Sequence, residues 1–263
     1  MKSRYFDPPK PRLFAHRGAS GHYPENTLPA FAAAVDSGIL YLEMDVWATR
    51  DGAVVVHHDA DLLRSCARPV PLTELTLEEL RRLDAGYGYP GTGATTFPYY
   101  GQGITIPTLE EVFAACPEAF CNIEIKDERP GVETRVLEAI RRAGREETVL
   151  LAAEKEAILQ RLRPLCPEIP TSLGFGELTD FFDGLKKGMP VGYRPPGAAL
   201  QIPETFGPLR LVTPESLAAA RAAGLEVHVW TVNEVADIRR LLDLGVDGVM
   251  SDYPERLIEA VSE

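Results

Sequence analysis

Short apolar runs and longer segments of helical periodicity take turns along this chain. Strand-like runs fall at residues 12–15, 40–46, 119–125, 148–151, 171–173, 198–201, 225–230 and 246–250. Between them, apolar side chains recur every three or four positions at 28–37, 108–115, 131–143, 154–163, 178–187, 214–223 and 234–242, with a closing segment at 254–261. The first pattern is that of buried strands, the second that of helices with one apolar face. Leu28, Phe31, Ala32 and Val35 form such a face; Asn26 or Thr27 is placed to cap that helix and Gly38 to end it. Strands and helices in alternation imply a parallel sheet with crossover helices. Eight such units in 263 residues fit a closed (β/α)8 barrel. A doubly wound open sheet is the alternative, but no GxGxxG follows the first strand.

The alternation breaks once. Residues 60–103 hold one helical stretch, 76–83, and the Gly-, Tyr- and Pro-rich run DAGYGYPGTGATTFPYYGQG. A loop of that length inside a compact chain is a functional segment or a small insertion. Its aromatic residues, Tyr87, Tyr89, Phe97, Tyr99 and Tyr100, either line a substrate entrance or pack the insertion onto the body. The chain otherwise reads as a single domain over 1–263, with the insertion after the second strand.

Against this apolar background a few polar residues stand out. Glu43 and Asp45 lie within the second strand, two positions apart and therefore on one face. Two carboxylates that close repel unless a cation joins them; a solvated edge-strand face is the plainer alternative. The next apolar run, 53–56, leads into His57, His58 and Asp59. His16 and Arg17 end the first strand, Glu124 and Lys126 share a face at the end of the third, Gln201 ends the sixth and Trp230 the seventh. In a barrel these strand ends converge on one rim, where sites are built. Buried charge is tolerated there only when paired or metal-bound.

Glu43, Asp45 and Glu124 form an all-oxygen set suited to a hard divalent cation, Mg²⁺ or Ca²⁺, rather than to zinc. Arg17 and Lys126 add the positive charge that an oxyanion such as phosphate needs. His16 and His58 come from different elements and can flank a reacting group as base and acid. His57 alternates away from His58, and His22 and His228 read as structural. Gln201 and Trp230 are candidates to contact substrate, although the Trp230 ring could equally belong to the core.

Composition narrows the partners. Lys and Arg number 27 against 39 Asp and Glu, a formal charge of −12, which favours neither nucleic acid nor an anionic membrane. No stretch has the length and apolarity of a membrane span, and the N-terminus lacks the apolar region of a signal peptide. Cys66, Cys116, Cys121 and Cys166 include no CxxC pair, so reduced thiols in a cytoplasm are expected. What remains is a small anionic ligand, with no nucleic acid and no stable membrane insertion; oligomeric state is left open.

The same residues recur as ordered motifs. They are His16-Arg17-Gly18, Pro24-Glu25-Asn26-Thr27, Glu43-Met44-Asp45, His58-Asp59 and Ile106-Pro107-Thr108-Leu109-Glu110-Glu111. Asn122-Ile123-Glu124-Ile125-Lys126, Trp230-Thr231-Val232-Asn233, Gly245-Val246-Asp247-Gly248 and Ser251-Asp252-Tyr253-Pro254 follow. Over nearly its whole length the chain thus resembles the glycerophosphodiester phosphodiesterase family. The resemblance implies a TIM barrel with a small insertion after the second strand. It implies hydrolysis of a glycerophosphodiester to glycerol 3-phosphate and an alcohol. Carried over residue by residue, it makes Glu43, Asp45 and Glu124 the metal ligands, His16 and His58 the acid/base pair, and Arg17 and Lys126 the phosphate holders.

Ser251 stands where the family usually has Thr, and residues 61–66 are a looser match, which leaves substrate choice open. Relatives that act on lysophospholipids make a lysophospholipase D the enzymatic alternative. A non-catalytic phosphodiester-binding barrel is the other, and retention of both histidines and all three carboxylates speaks against it. The nucleophile is either water or the substrate's own 2-hydroxyl; the intramolecular route is favoured because it needs no separately placed water.

Overall fold

The computed structural model describes residues 3–90, 95–189 and 192–262. Its strands are β1 (Arg12–His16), β2 (Tyr41–Ala48), β3 (Val54–Val56), β4 (Phe120–Ile125), β5 (Val149–Ala152), β6 (Ala199–Ile202), β7 (Glu226–Val229) and β8 (Gly248–Ser251). Parallel pairing runs β5–β4–β2–β1–β8–β7–β6. Residues 171–173 close the ring between its two ends. The Ser172 N–H reaches the Leu151 carbonyl at 2.9 Å on one side, and the Leu173 N–H reaches the Ala199 carbonyl at 2.9 Å on the other. The eight positions form a closed (β/α)8 TIM barrel, and the open doubly wound sheet is excluded. This fifth position pairs only through single bridges at Thr171 and Ser172. Arg163 braces it, donating from Nε to Thr171 Oγ1 at 2.9 Å and from its guanidinium to the Ser172 carbonyl at 3.0 Å.

The run at 53–56 is not a ring member. As β3 it turns back antiparallel along β2, with Val56 opposite Val46. That return brings the next residues down to the level of the strand-two carboxylates: the His57 N–H bonds the Asp45 carbonyl at 2.9 Å.

Around the ring lie α1 (Leu28–Asp36), α2 (Leu109–Ala115), α3 (Val132–Arg142), α4 (Glu156–Leu162), α5 (Phe175–Lys187), α6 (Pro214–Ala222), α7 (Val235–Leu244) and α8 (Pro254–Val261). Phe31, Val112, Ile140, Leu159, Phe181, Ile238 and Leu257 from these helices are buried in one continuous core with the strands. Thr108 and Glu111 open α2 with reciprocal side-chain caps. The expectation for α1 is corrected. Thr27 occupies the N-cap position, but its hydroxyl donates to the Pro24 carbonyl at 2.6 Å and the Asn26 amide donates to Asp45 at 2.9 Å. Both side chains shape the loop facing the site, so neither caps the helix.

The insertion folds on its own small core of Leu62, Cys66, Leu72, Leu80, Ile104 and Ile106 against Val55. The helix expected over 76–83 is a single turn, Leu77–Leu80, capped by Thr76 and Glu79. Its aromatics pack rather than line an entrance. Tyr87 stacks on Phe97 with centroids 4.7 Å apart, Tyr99 meets Tyr23 and Tyr89, and the Tyr89 and Tyr99 hydroxyls donate to the Gly21 and His22 carbonyls. Tyr100 stays exposed. Residues 91–94 of that run lie outside the described residues.

At the amino end of the barrel, Arg12 is almost fully buried and grips Glu226 through Nε at 2.6 Å and its guanidinium at 2.8 Å, beneath Tyr5, Phe14 and Tyr41. That packing seals one end and leaves the carboxyl rim as the open one. All four cysteines are buried free thiols, and among the described residues no helix is long and apolar enough to cross a membrane.

Candidate active site

Register decides which polar side chains meet. His16 pairs with Glu43 across β1 and β2, Glu43 with Asn122 and Asp45 with Glu124 across β2 and β4. Side chains of like parity turn inward together, so Glu43, Asp45 and Glu124 converge. One ligand oxygen from each lies within 4.8 Å of the others. Glu43 is 4% exposed and Asp45 1%.

The electrostatics are those of an undercompensated acidic cluster. Burial, with the charge of Asp45 added, pushes the Glu43 carboxyl up to about 7. Burial opposes the charge of Asp45 too, but Lys126 and Arg17 outweigh it and hold that carboxyl below its ordinary range. Glu124 is raised by burial and by Asp45, against the pull of Lys126. Two buried carboxylates and the half-buried Glu124, with the Glu43 proton held up by that crowding, fit a hard divalent cation, which relieves their mutual repulsion.

Two cations flank the cluster. Lys126 Nζ lies 2.7 Å from Glu124 and 3.2 Å from Asp45. Arg17 Nε lies 3.3 Å from Asp45, but without hydrogen-bond geometry, so it is a buried donor lacking a hydrogen-bond partner among the described residues. Arg17 takes a left-handed turn at φ 56°, its backbone N–H held by Glu43. The next residue, Gly18, has φ 81°, and a Cβ there would sit 2.7 Å from the Ala30 backbone, so only glycine lets α1 pack against this turn.

Each of the two candidate histidines is anchored through Nδ1. His16 Nδ1 donates to Asp252 at 2.7 Å, and Asp252 also accepts from Ser20 at 2.9 Å and Asn233 at 2.7 Å. The opposite nitrogen, Nε2, lies 4.0 Å from Glu43. Burial disfavours the His16 cation, but Asp252 and Glu43 outweigh it and raise its proton affinity. His58 Nδ1 donates to Asp59 at 2.6 Å. Burial works against the charge of Asp59, yet Arg64 and His58 hold it down to about 2.

The remaining candidates stand further off. His57 is buried and faces packing, with Nδ1 on the Asp59 carbonyl at 2.9 Å and Nε2 on Ser65 at 2.8 Å. The Gln201 amide donates to Asn122 at 2.7 Å inside the barrel, at the rung of Glu43. Trp230 is 42% exposed just past the end of β7, so it is not core. His22 pairs with Glu255 on the surface and His228 is fully buried against Glu226.

Residue-by-residue reading passed over Asp252, Asp59, Glu25 and Arg64 as parts of this arrangement. Asp252 directly follows β8, so the strand-end rule that singled out His16 and Glu124 reaches it as well. Nothing in the spacing of Arg64 or Glu25 announces that they meet.

The raised Glu43 carboxyl has a measurable consequence. In the cation-free protein Glu43 binds a proton more tightly folded, at about 7, than unfolded, at its ordinary 4.5. Its contribution is complete below the lower value and lost as pH rises through the upper one, a fall of about 3 kcal/mol. A saturating divalent cation flattens that slope. Urea unfolding on either side of this interval, with and without cation, checks it; a flat cation-free profile would show that Glu43 holds no proton.

A closed parallel barrel with a buried carboxylate cluster at its open carboxyl rim defines a TIM-barrel enzyme. Residues 16–256 match the glycerophosphoryl diester phosphodiesterase family, and the chain belongs to it. A glycerophosphodiester phosphodiesterase of Bacillus altitudinis is 34% identical, over 96% of this chain and 98% of its own. A lysophospholipase D of Mus musculus is 31% identical, over 94% of this chain and 84% of its own. Among solved structures, an Oleispira antarctica phosphodiesterase in complex with the product sn-glycerol-3-phosphate superposes with a TM-score of 0.74 at 27% identity, covering 96% of this chain and 97% of that one.

Proposed function

We propose that this protein is a metal-dependent glycerophosphodiester phosphodiesterase, hydrolysing its substrate to glycerol 3-phosphate and an alcohol. The observation that carries the reading is the pair of aspartate-anchored histidines standing beside the three carboxylates. Glu43, Asp45 and Glu124 would hold the divalent cation, Mg²⁺ or Ca²⁺. When bound, the cation draws off charge that builds on the phosphoryl oxygens.

The chain's own side chains do the rest. Arg17 and Lys126 bind the phosphate oxygens, and the Arg17 Nε–H, a buried donor without a hydrogen-bond partner among the described residues, gains one there. Because Nδ1 of His16 and of His58 is committed to a carboxylate, Nε2 is the atom of each that moves a proton. One ring takes the proton of the attacking hydroxyl, and the other gives one to the departing alcohol oxygen. The substrate's own 2-hydroxyl serves as the nucleophile, expelling the alcohol and leaving a cyclic phosphate; water, with the two histidines in reversed roles, then opens that ring to glycerol 3-phosphate. Four free thiols support a cytoplasmic location.

A second reading, a lysophospholipase D, is favoured by one feature of the rim. Phe175, Phe206, Leu209 and Trp230 are exposed, with Phe175 and Phe206 edge to face at 6.2 Å. They follow ring positions five, six and seven, on the open rim, where they could accept an alkyl chain. Product analysis over a panel of glycerophosphodiesters and lysophospholipids tests both readings. The expected result is higher kcat/KM on glycerophosphocholine than on lysophosphatidylcholine; the reverse order establishes the lipid reading. A glycerophosphodiester analogue without the 2-hydroxyl is expected to bind without turnover, and turnover at the normal rate would make water the nucleophile.

A further inference from the structure

We infer that Arg64, contributed by the insertion, is a positioning residue that ties His58 to Arg17. Its Nε donates to Asp59 Oδ2 at 2.7 Å, and its two terminal nitrogens donate to Glu25 Oε2 and Oε1, each at 2.7 Å. Asp59 uses its other oxygen to hold His58 Nδ1 at 2.6 Å. Glu25 uses Oε1 to hold Arg17 at 3.0 Å. One guanidinium therefore sets two carboxylates, and each carboxylate sets one of the groups that the proposed reaction needs. A continuous ion chain runs His58–Asp59–Arg64–Glu25–Arg17.

The two anchored histidines differ in how their carboxylates are held. Asp252, behind His16, has Ser20 and Asn233 as further donors. Among the described residues, the Asp59 side chain has only Arg64 besides His58. Both Asp59 and Glu25 are partly exposed, with side chains 27% and 24% accessible, so neither is locked by packing alone. Arg64 sits on the short helix Leu63–Cys66; Leu62, which precedes the helix, and Cys66, its last residue, are buried in the insertion's own core. The insertion thereby reaches into the site: it supplies the planar fork that fixes the Nδ1–H tautomer of His58 and the reach of Arg17. A lysine cannot replace it, because one ammonium does not present the same bidentate face to Glu25 while holding Asp59.

The inference rests on the roles proposed above for His58 and Arg17, and the test separates the two. Wild type, Arg64→Ala and Arg64→Lys are assayed on glycerophosphocholine with saturating Mg²⁺ or Ca²⁺, with rates normalised to the folded fraction. Arg64→Ala is expected to lose about 10²-fold in kcat, the scale of a mispositioned proton-transfer group, and to show a raised KM. Added methylguanidinium restores kcat, whereas methylammonium at equal ionic strength does not. Arg64→Lys, which keeps charge and length, is expected to fold and still lose about tenfold or more. Either variant matching wild-type kcat, or an Arg64→Ala loss that methylguanidinium leaves untouched, overturns the inference. Side-chain ¹⁵N shifts of His58 in the cation-free protein supply a readout independent of turnover. Wild type should show the Nδ1–H form, and Arg64→Ala a mixture of tautomers; an unchanged His58 signal also overturns it. A wild-type enzyme inactive on every diester of the panel would instead remove the hydrolase reading and leave the tautomer measurement standing.

Discussion

His16→Ala and His58→Ala are each expected to lower kcat by about 10²-fold or more, while His57→Ala, one residue away, should stay close to wild type. The contrast follows from where the rings point. His16 and His58 commit Nδ1 to Asp252 and Asp59 and keep Nε2 for the site. His57 has both nitrogens engaged away from it, on the Asp59 carbonyl and the Ser65 hydroxyl, and burial lowers its affinity for a proton. Losing His57 should therefore appear as stability, about 1–3 kcal/mol for the stranded partners of a buried polar group. Steady-state kinetics and thermal unfolding of the three variants read the two effects separately. An inactive but well-folded His57→Ala beside an active His58→Ala would reverse the assignment.

Removing the divalent cation is expected to abolish turnover, and Mg²⁺ or Ca²⁺ to restore it. Without a cation, Glu43, Asp45 and Glu124 are three oxygen donors within 4.8 Å of one another, with Lys126 and Arg17 as the fixed positive charges beside them. Those two side chains are also the groups that should meet phosphate, and in this structure carboxylates hold them. Glu124→Gln keeps the shape of the side chain and removes one charge. As a change in a direct ligand, it should weaken cation affinity by at least the roughly 10–100-fold that losing a partner behind a ligand costs, with little change in the fold. Calorimetric titration with each cation and activity against free cation concentration check this. Full activity of Glu124→Gln in excess chelator would take the metal out of the mechanism.

Much of the site was legible because it obeys short-range rules. Strand side chains alternate with period two, so Glu43 and Asp45 had to share a face, as did Glu124 and Lys126, and His58 had to face opposite to His57. Eight alternations of strand and helix pointed to a closed barrel, and a barrel collects strand ends on one rim. The segment at 171–173 was legible as a strand from its neighbours' rhythm, although it pairs through only two bridges.

What tertiary structure alone decided lies at long range. His16 and Asp252 are 236 residues apart, and Arg64 and Glu25 are 39 apart and on different elements. Whether such groups meet depends on ring closure and on the register of β1 against β2 and β8, which periodicity does not encode. The same holds for β3, an apolar run whose composition suits a parallel or an antiparallel strand equally; its return along β2 is set by the tight turn after Thr49 and by pairing of Val46 with Val56. Capping residues show the limit most directly. Asn26 and Thr27 have the chemistry of a helix cap, but the fold places Asn26 beside a buried carboxylate, where its amide stabilises Asp45 more than it could stabilise a solvated helix end. Local chemistry determined which side chains were available, and the closed barrel determined whom they meet.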